Sequence, residues 1–386
     1  MEIDSHPDRA VKILLIRLRL IGDVVFTTPA IRALRQRFPD AELVYLVERA
    51  AAPVLSDNQH LTKLIIAERP RGFRRVIYDL QLAQRLRAAR FDAVIDFHGG
   101  PRSNWLTWAT RAKTRIGYSM PYRRWPYTHL VRRPVQTEPR HSVMNQWDLL
   151  SSLDKSFAAR PDPQHDPVEM NVNIETVLSV FKKFVAARLT RKSIAGRESH
   201  TGAKKIDIVV IHVRVGTPFR QWPIEFFIET IVNLAAFDPE LRFVVTSDPS
   251  DPSTTNQIIT AVHARTGRAT PLVTSADHFG VAELQSLIRN AALFIGGDSG
   301  PLHIASTTTT PIVGLYGPTL PTRSSPWRSP ALITESVDVG ELPCRPCDQR
   351  HCEPGDFRCL RTLPAIKVIS AAKRALTKQS ARKLAT

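Results

Sequence analysis

Short, continuous apolar runs recur along the first half of the chain: residues 12–16 (KILLI), 43–47 (LVYLV), 63–66 (KLII) and 93–97 (AVIDF). Runs of this length without polar alternation predict strands covered on both faces, as in a parallel sheet. Between the first two lies TTPAIRALRQRF, residues 27–38. Thr28 is placed to cap a helix there and Pro29 suits a first helical position, with Ile31, Leu34 and Phe38 following at helical spacing. Residues 79–90 form a second, Arg-rich amphipathic helix. The alternation of strand and helix predicts an α/β unit with helices on both faces.

The texture changes at about 155–205, where PDPQHDP is followed by a predicted helix near 174–189 and a basic polar run through Arg191, Lys192, Arg197 and Lys204. Strand-like runs then restart at 206–212, 243–246, 271–274, 293–296 and 311–315, with helix patterns at 223–237 and 281–291. The pattern divides the chain into a first unit at 1–170, a linker at 171–204, a second α/β unit at 205–340, and a Cys-rich segment with a basic helix at 341–386. Doubly wound sheets bind ligands at the carboxyl ends of their strands, so a cleft with the two units facing across it is the expected site.

Charge sharpens this division. The 386 residues carry a net charge of +17. Residues 1–150 hold 25 basic and 14 acidic side chains, whereas residues 205–340 hold 9 and 12. The excess positive charge therefore belongs to the first unit and the tail, which points to an anionic partner there: a membrane surface, an acidic substrate or nucleic acid. No apolar stretch is long enough to span a bilayer. The start of the sequence lacks a basic-then-apolar leader, and four cysteines confined to 344–359 do not make a secreted disulfide framework, so a cytoplasmic location is expected.

Four loops at predicted strand ends carry candidate chemistry. In RLIGDVVFTTPAI (19–31), Gly22 permits a tight turn and Asp23 sits where a carboxylate can take a proton from an attacking hydroxyl; the same Asp can instead bond loop amides. In FIGGDSGPLHIAS (294–306), Ser299, Gly300 and Pro301 open a short helix whose free amides can hold phosphate, Asp298 can accept from sugar hydroxyls or cap the helix, and His303 can contact ligand or pack. In GLYGPTLPTRSSPW (314–327), Gly317 and Thr319 can offer an amide and a hydroxyl to a diphosphate or simply form a rigid connection. In IHVRVGTPFRQWP (211–223), Arg220 is placed to neutralise a leaving diphosphate, with Trp222 and Pro223 as packing and helix-start residues. There is no GxGxxG or GxxxxGK[ST] fingerprint, which argues against a nicotinamide enzyme and a P-loop ATPase.

These loops, in this order, resemble the lipopolysaccharide heptosyltransferase family of glycosyltransferases over about 11–370. The matching residues are Gly22, Asp23, Val24, Thr27, Pro29 and Ala30; Phe38, Pro39, Asp40 and Ala41; the segment FDAVIDFHGGPRSNWL at 91–106; Asp298, Ser299, Gly300, Pro301, His303 and Ala305; and Pro311, Gly317, Pro318 and Thr319. The resemblance implies the GT-B fold, two Rossmann-like units, and transfer of heptose from ADP-heptose with inversion to a lipid A-linked inner-core acceptor. It implies Asp23 as general base, Arg220 as the cation on the leaving diphosphate, and a donor site of Asp298, Ser299, Gly300, Pro301, His303, Gly317 and Thr319, with no metal required for catalysis. Val213, Arg214 and Val215 replace the family's Pro-Gly-Ala/Ser, and Arg220 replaces a Lys. These departures leave open another nucleotide-sugar donor, or a degenerate relative that binds a nucleotide-sugar or membrane without catalysis.

Two features remain. Residues 102–140 interleave arginines with Trp105, Trp108, Tyr118, Tyr122, Trp125 and Tyr127 against the single acid Glu138. Such a surface suits an anionic glycolipid acceptor and the inner face of the inner membrane, with Arg102, Arg123 and Arg124 as acceptor contacts; no nucleic-acid recognition motif accompanies it. Cys344, Cys347, Cys352 and Cys359 give C-x2-C-x4-C-x6-C, a spacing open to structural zinc, an iron–sulfur cluster, or free thiols.

Overall fold

The computed structural model describes residues 10–134, 138, 140–186, 207–213, 217–247, 252–267, 279–347, 349 and 351–385. The chain divides into two compact units, Met1–Asn171 and Val172–Thr386. The strand expected at 271–274, Arg214, Val215 and the basic run of the linker lie outside the described residues.

The first unit contains β1 (Lys12–Ile16), β2 (Glu42–Glu48), β3 (Lys63–Ala67), β4 (Ala93–Asp96), β5 (Thr114–Ser119) and β6 (His129–Arg132). All pair in parallel in the order β3-β2-β1-β4-β5-β6. The reversal of order lies between β1 and β4, so the loops after these two strands diverge at the carboxyl edge, where such sheets bind ligands. The predicted helix at 27–38 is α2 (Thr28–Arg37), and a short helix that was not predicted, α1 (Ile21–Val25), precedes it. Thr28 does not cap: its hydroxyl donates to Val25 O and accepts the Glu169 amide, because the chain is already helical before it. The Arg-rich helix α3 starts earlier than its pattern suggested, at Phe73–Ala88, and is followed by α4 (Pro101–Ala109) and α5 (Ser142–Ser151). Leu14, Ile16, Val44, Leu46 and Val94 of the sheet pack with Leu82 and Leu86 of α3 and Leu106 of α4.

In the second unit, α6 (Ile174–Ala186) precedes β7 (Ile208–His212), α7 (Ile224–Phe237), β8 (Arg242–Thr246), α8 (Pro252–Thr266), α9 (Val281–Arg289), β9 (Leu293–Gly297), α10 (Gly300–Ser306), β10 (Ile312–Leu315), α11 (Pro321–Ser324) and β11 (Thr334–Val337). The parallel order is β11-β10-β9-β7-β8. Helix α6, in the stretch expected as linker, belongs to this unit: Ser179 and Lys183 bind Glu283 of α9 at 2.7 and 2.9 Å. The Cys-rich segment carries α12 (Arg358–Arg361), and the tail is α13 (Ala365–Ala385). Val368, Ile369, Ala372, Ala375 and Leu376 of α13 recur at helical spacing and are buried against the sheet and α7. Trp222 is buried beside Phe227 and donates to Leu363 O at 2.9 Å, tying the start of α7 to the tail.

Candidate active site

At the carboxyl end of β1, Leu20 takes a left-handed φ of 70° and turns the chain into α1, which puts Asp23 in the first helical turn. Asp23 is paired with the buried Arg17 guanidinium, whose other arm donates to Phe97 O at 2.5 Å after β4. One arginine thus joins the two loops at the sheet's order reversal. The Asp23 side chain stays 28% exposed, so it is held in place yet open to a reactant.

The loop after β4 is built from within. Buried Asp96 accepts the amides of His98 and Gly99 at 2.8 and 3.0 Å. The Tyr127 hydroxyl stands 2.7 Å from both Asp96 Oδ2 and Asn104 Oδ1. This needs Gly117, because a Cβ there would lie 2.2 Å from the Tyr127 ring. Burial raises the Asp96 carboxyl, against these hydrogen bonds. His98 next to it is driven down to about 3 by burial and by Arg17 and Arg19, so it is a neutral imidazole at physiological pH.

The second unit gathers Arg220, Asp298, His303 and Thr319 from the ends of β7, β9 and β10. Arg220 donates to Asp298 O at 2.7 Å and lies 3.6 Å from its carboxylate; His303 Nε2 lies 3.4 Å from the other oxygen. Burial alone would raise Asp298, but His303, Arg220 and the Thr319 hydroxyl outweigh it and hold the carboxyl below its usual range. Asp298 is 5% exposed and flanked by Arg220 and His303, so it acts as a fixed negative centre that orients both. Ser299 precedes α10, with its carbonyl accepting the Leu302 and His303 amides, and Gly300 and Pro301 are half-buried at the helix start.

Gly317 has a packing role in its loop. A Cβ there would stand 2.6 Å from Leu360 Cγ, so the glycine lets the Cys-rich segment pack onto the loop. That segment also reaches the cluster itself. Arg220 Nε donates to Gln349 Oε1 at 2.7 Å, and Gln349 Nε2 lies 3.3 Å from Thr319 Oγ1. Arg345 donates to Thr319 O, and the Cys347 amide to Pro318 O. Gln349 was invisible to motif reasoning, since nothing near it in sequence marks it. Arg17 carried a weak signal as a cation ending an apolar strand just before Gly-Asp.

The expected acceptor contacts separate. Arg102 is internal: it donates to Asp79 at 2.6 Å, to Glu48 at 3.0 Å and to Glu68 O at 2.7 Å, so an acceptor role for it is withdrawn. Arg140 likewise pairs with Asp148, and Arg115 with the carbonyls of Ala112 and Pro126. Arg123 reaches Gly99 O at 3.4 Å, beside the loop after β4, and Arg124 is exposed. The four cysteines are free thiols. Cys347 and Cys352 accept the amides of Gln349 and Phe357 at 3.3 and 3.4 Å. Burial, and then the other three thiols among its neighbours, push Cys359 up to about 11. Among the described residues no group of three or more His, Cys, Asp or Glu side chains is arranged to hold a metal ion.

Residues 80–354 match glycosyltransferase family 9 (heptosyltransferase). The chain is 27% identical over 372 residues to lipopolysaccharide heptosyltransferase 3 of Escherichia coli, covering 93% of this chain and 97% of that protein. The crystal structure of a family 9 glycosyltransferase from Veillonella parvula superposes with a TM-score of 0.76 at 21% identity, covering 98% and 99% of the two chains. E. coli ADP-heptose lps heptosyltransferase II gives 0.71 at 16% identity, covering 96% and 100%.

Proposed function

This chain belongs to glycosyltransferase family 9, the heptosyltransferases, and from that membership we propose that it transfers heptose from ADP-heptose, with inversion, to an anionic lipid A-linked inner-core acceptor at the cytoplasmic face of the inner membrane. The membership makes it a glycosyltransferase of lipopolysaccharide synthesis with two parallel α/β units of the GT-B type. Donor, acceptor and location are the proposed part. One observation carries the reading: Arg220, Asp298, His303 and Thr319, scattered over 100 positions of sequence, meet in one hydrogen-bonded cluster at the strand ends of the second unit.

In the proposed reaction the acceptor hydroxyl gives its proton to Asp23 as its oxygen bonds to the anomeric carbon. The bond from that carbon to the diphosphate breaks on the opposite face, and ADP leaves. Arg220 meets the charge growing on the diphosphate. Its geometry is fixed in advance by Asp298 O and Gln349, so little reorganisation accompanies the step. Arg123 and Arg124 receive acceptor phosphates. Among the described residues no helix is long and apolar enough to cross a membrane.

The test is ADP release from candidate nucleotide-sugars with a delipidated core acceptor, comparing wild type with Asp23→Asn. ADP-heptose is expected to be the preferred donor and the variant to be nearly inactive. Preference for another donor removes the heptose assignment; wild-type turnover by the variant removes Asp23 as base.

A further inference from the structure

Helix α3 buries only one of its two apolar stripes. Leu82, Ala83 and Leu86 face the sheet. Phe73, Val76, Ile77 and Leu80, at i, i+3, i+4 and i+7, form a second stripe that is 76%, 53%, 43% and 51% exposed. Exposing four large apolar groups in one row has a cost in water and marks a contact surface.

The charge around the stripe identifies the kind of partner. From position 69 to 90 the sequence holds seven arginines and one acid, Asp79. That acid is turned inward onto Arg102. Arg69, Arg71 and Arg74, around the start of the helix, are all exposed. A second copy of this chain docking through the same face would set these cations against themselves. A soluble polyanion would satisfy the arginines and leave the apolar row in water. A bilayer with anionic headgroups satisfies both at once, taking the row into its interfacial layer and the guanidiniums at its phosphates.

We infer that α3 is a membrane-docking helix that seats the first unit on an anionic lipid surface, with Phe73, Val76, Ile77 and Leu80 inserted and the flanking arginines at headgroup level. This deepens the proposal of a lipid-linked acceptor and rests on it. It also assigns the membrane contact to a helix other than the aromatic segment 102–140 that the sequence favoured.

The full-length protein is tested for co-sedimentation with vesicles of phosphatidylcholine containing phosphatidylglycerol, in the absence of donor and acceptor, and for its oligomeric state by light scattering. Wild type is expected to bind these vesicles, to bind pure phosphatidylcholine far less, and to lose binding with added salt. Phe73→Ser/Leu80→Ser is expected to weaken binding by about ten-fold or more. Arg71→Gln/Arg74→Gln is expected to weaken it by roughly five-fold per arginine. Both variants should keep the wild-type circular dichroism spectrum, and their transfer to a delipidated acceptor should stay within about two-fold of wild type. Wild-type affinity in the apolar variant, absence of vesicle binding by wild type, or a wild-type dimer that the apolar variant splits would each overturn the inference. Because vesicle binding needs no sugar donor, a failed heptose assignment would leave this result standing, and the reverse also holds.

Discussion

The two units have the same kind of sheet and each places an aspartate beyond a strand end, yet they treat it differently. Asp23 is anchored by one arginine and remains open to solvent. Asp298 is enclosed by Arg220, His303 and Thr319, with 5% of its side chain exposed. A carboxylate that must take a proton has to be reachable. One that fixes a cation is better buried and held ionised. In the proposed reaction, the same amino acid in similar topological places thus separates into a reacting group and a scaffold through its neighbours. Net charge does not follow this division: residues 1–171 hold 27 basic and 18 acidic side chains, and residues 172–386 hold 26 and 18.

The sharpest way to break this contrast is to remove each carboxylate's charge with little change of shape. Asp23→Asn is expected to lower kcat by about 10³-fold, with the donor KM within about two-fold, since loss of a general base acts on the transition state. Asp298→Asn should instead lower stability and raise the donor KM together, because Arg220 and His303 lose the charge that orients them. If Asp298→Asn lost only kcat, the two roles would have to be exchanged. Next in size, Arg220→Ala is expected to cost about 10²-fold in kcat, the scale of one preorganised electrostatic group. Arg220→Lys should recover part of that loss but not the bond to Gln349, since an ammonium offers no fixed fork.

The contrast was half legible in sequence. Continuous apolar runs marked β1, β2, β4, β7, β8, β9 and β10, because strands covered on both faces carry little else, and KLII marked the partly exposed edge strand β3. The interior strand β5 and the edge strands β6 and β11 were missed. TRIGYS, HLVR and TESV each mix polar with apolar positions, as strands with one partner or one wet face do. Asp23, Arg220 and Asp298 were legible because chemistry at strand ends leaves Gly, Pro and a charge close together. Arg102 misled because nothing local reports that Asp79 and Glu48 come from separate elements to meet it. Gln349 was illegible for the same reason: its partner Arg220 is 129 positions away.

That distant contact gives a finer test of the second unit. Gln349→Ala removes the acceptor on Arg220 Nε and frees Thr319, leaving Asp298 in place. A single hydrogen bond to a charged group is worth about 1.5–3 kcal/mol in favourable cases, and this one is only half-buried. A five- to ten-fold rise in donor KM with kcat within about three-fold is therefore expected. Gln349→Glu, which keeps an acceptor oxygen, should recover part of it. An unchanged KM in the alanine variant would show that Asp298 alone orients Arg220.

The smallest effect separates the units by pH. His98 in the folded first unit is held near 3, against about 6.5 when exposed. Between those values the unfolded chain binds a proton that the folded imidazole refuses, so stability falls as pH is lowered through that window, by at most about 1.4 kcal/mol per pH unit. Asp298 is displaced downward from 3.8, so its stabilisation is complete above that value and is lost only as pH falls further, toward its folded pKa. Amide exchange in β1 and β4 should therefore speed up from pH 6.5 to pH 4 after correction for intrinsic rates, while β9 and β10 hold steady. His98→Gln should flatten the response of the first unit alone. Equal acceleration in both sheets, or a slope that survives the substitution, would show that the acid sensitivity does not arise from the imidazole buried beside Arg17.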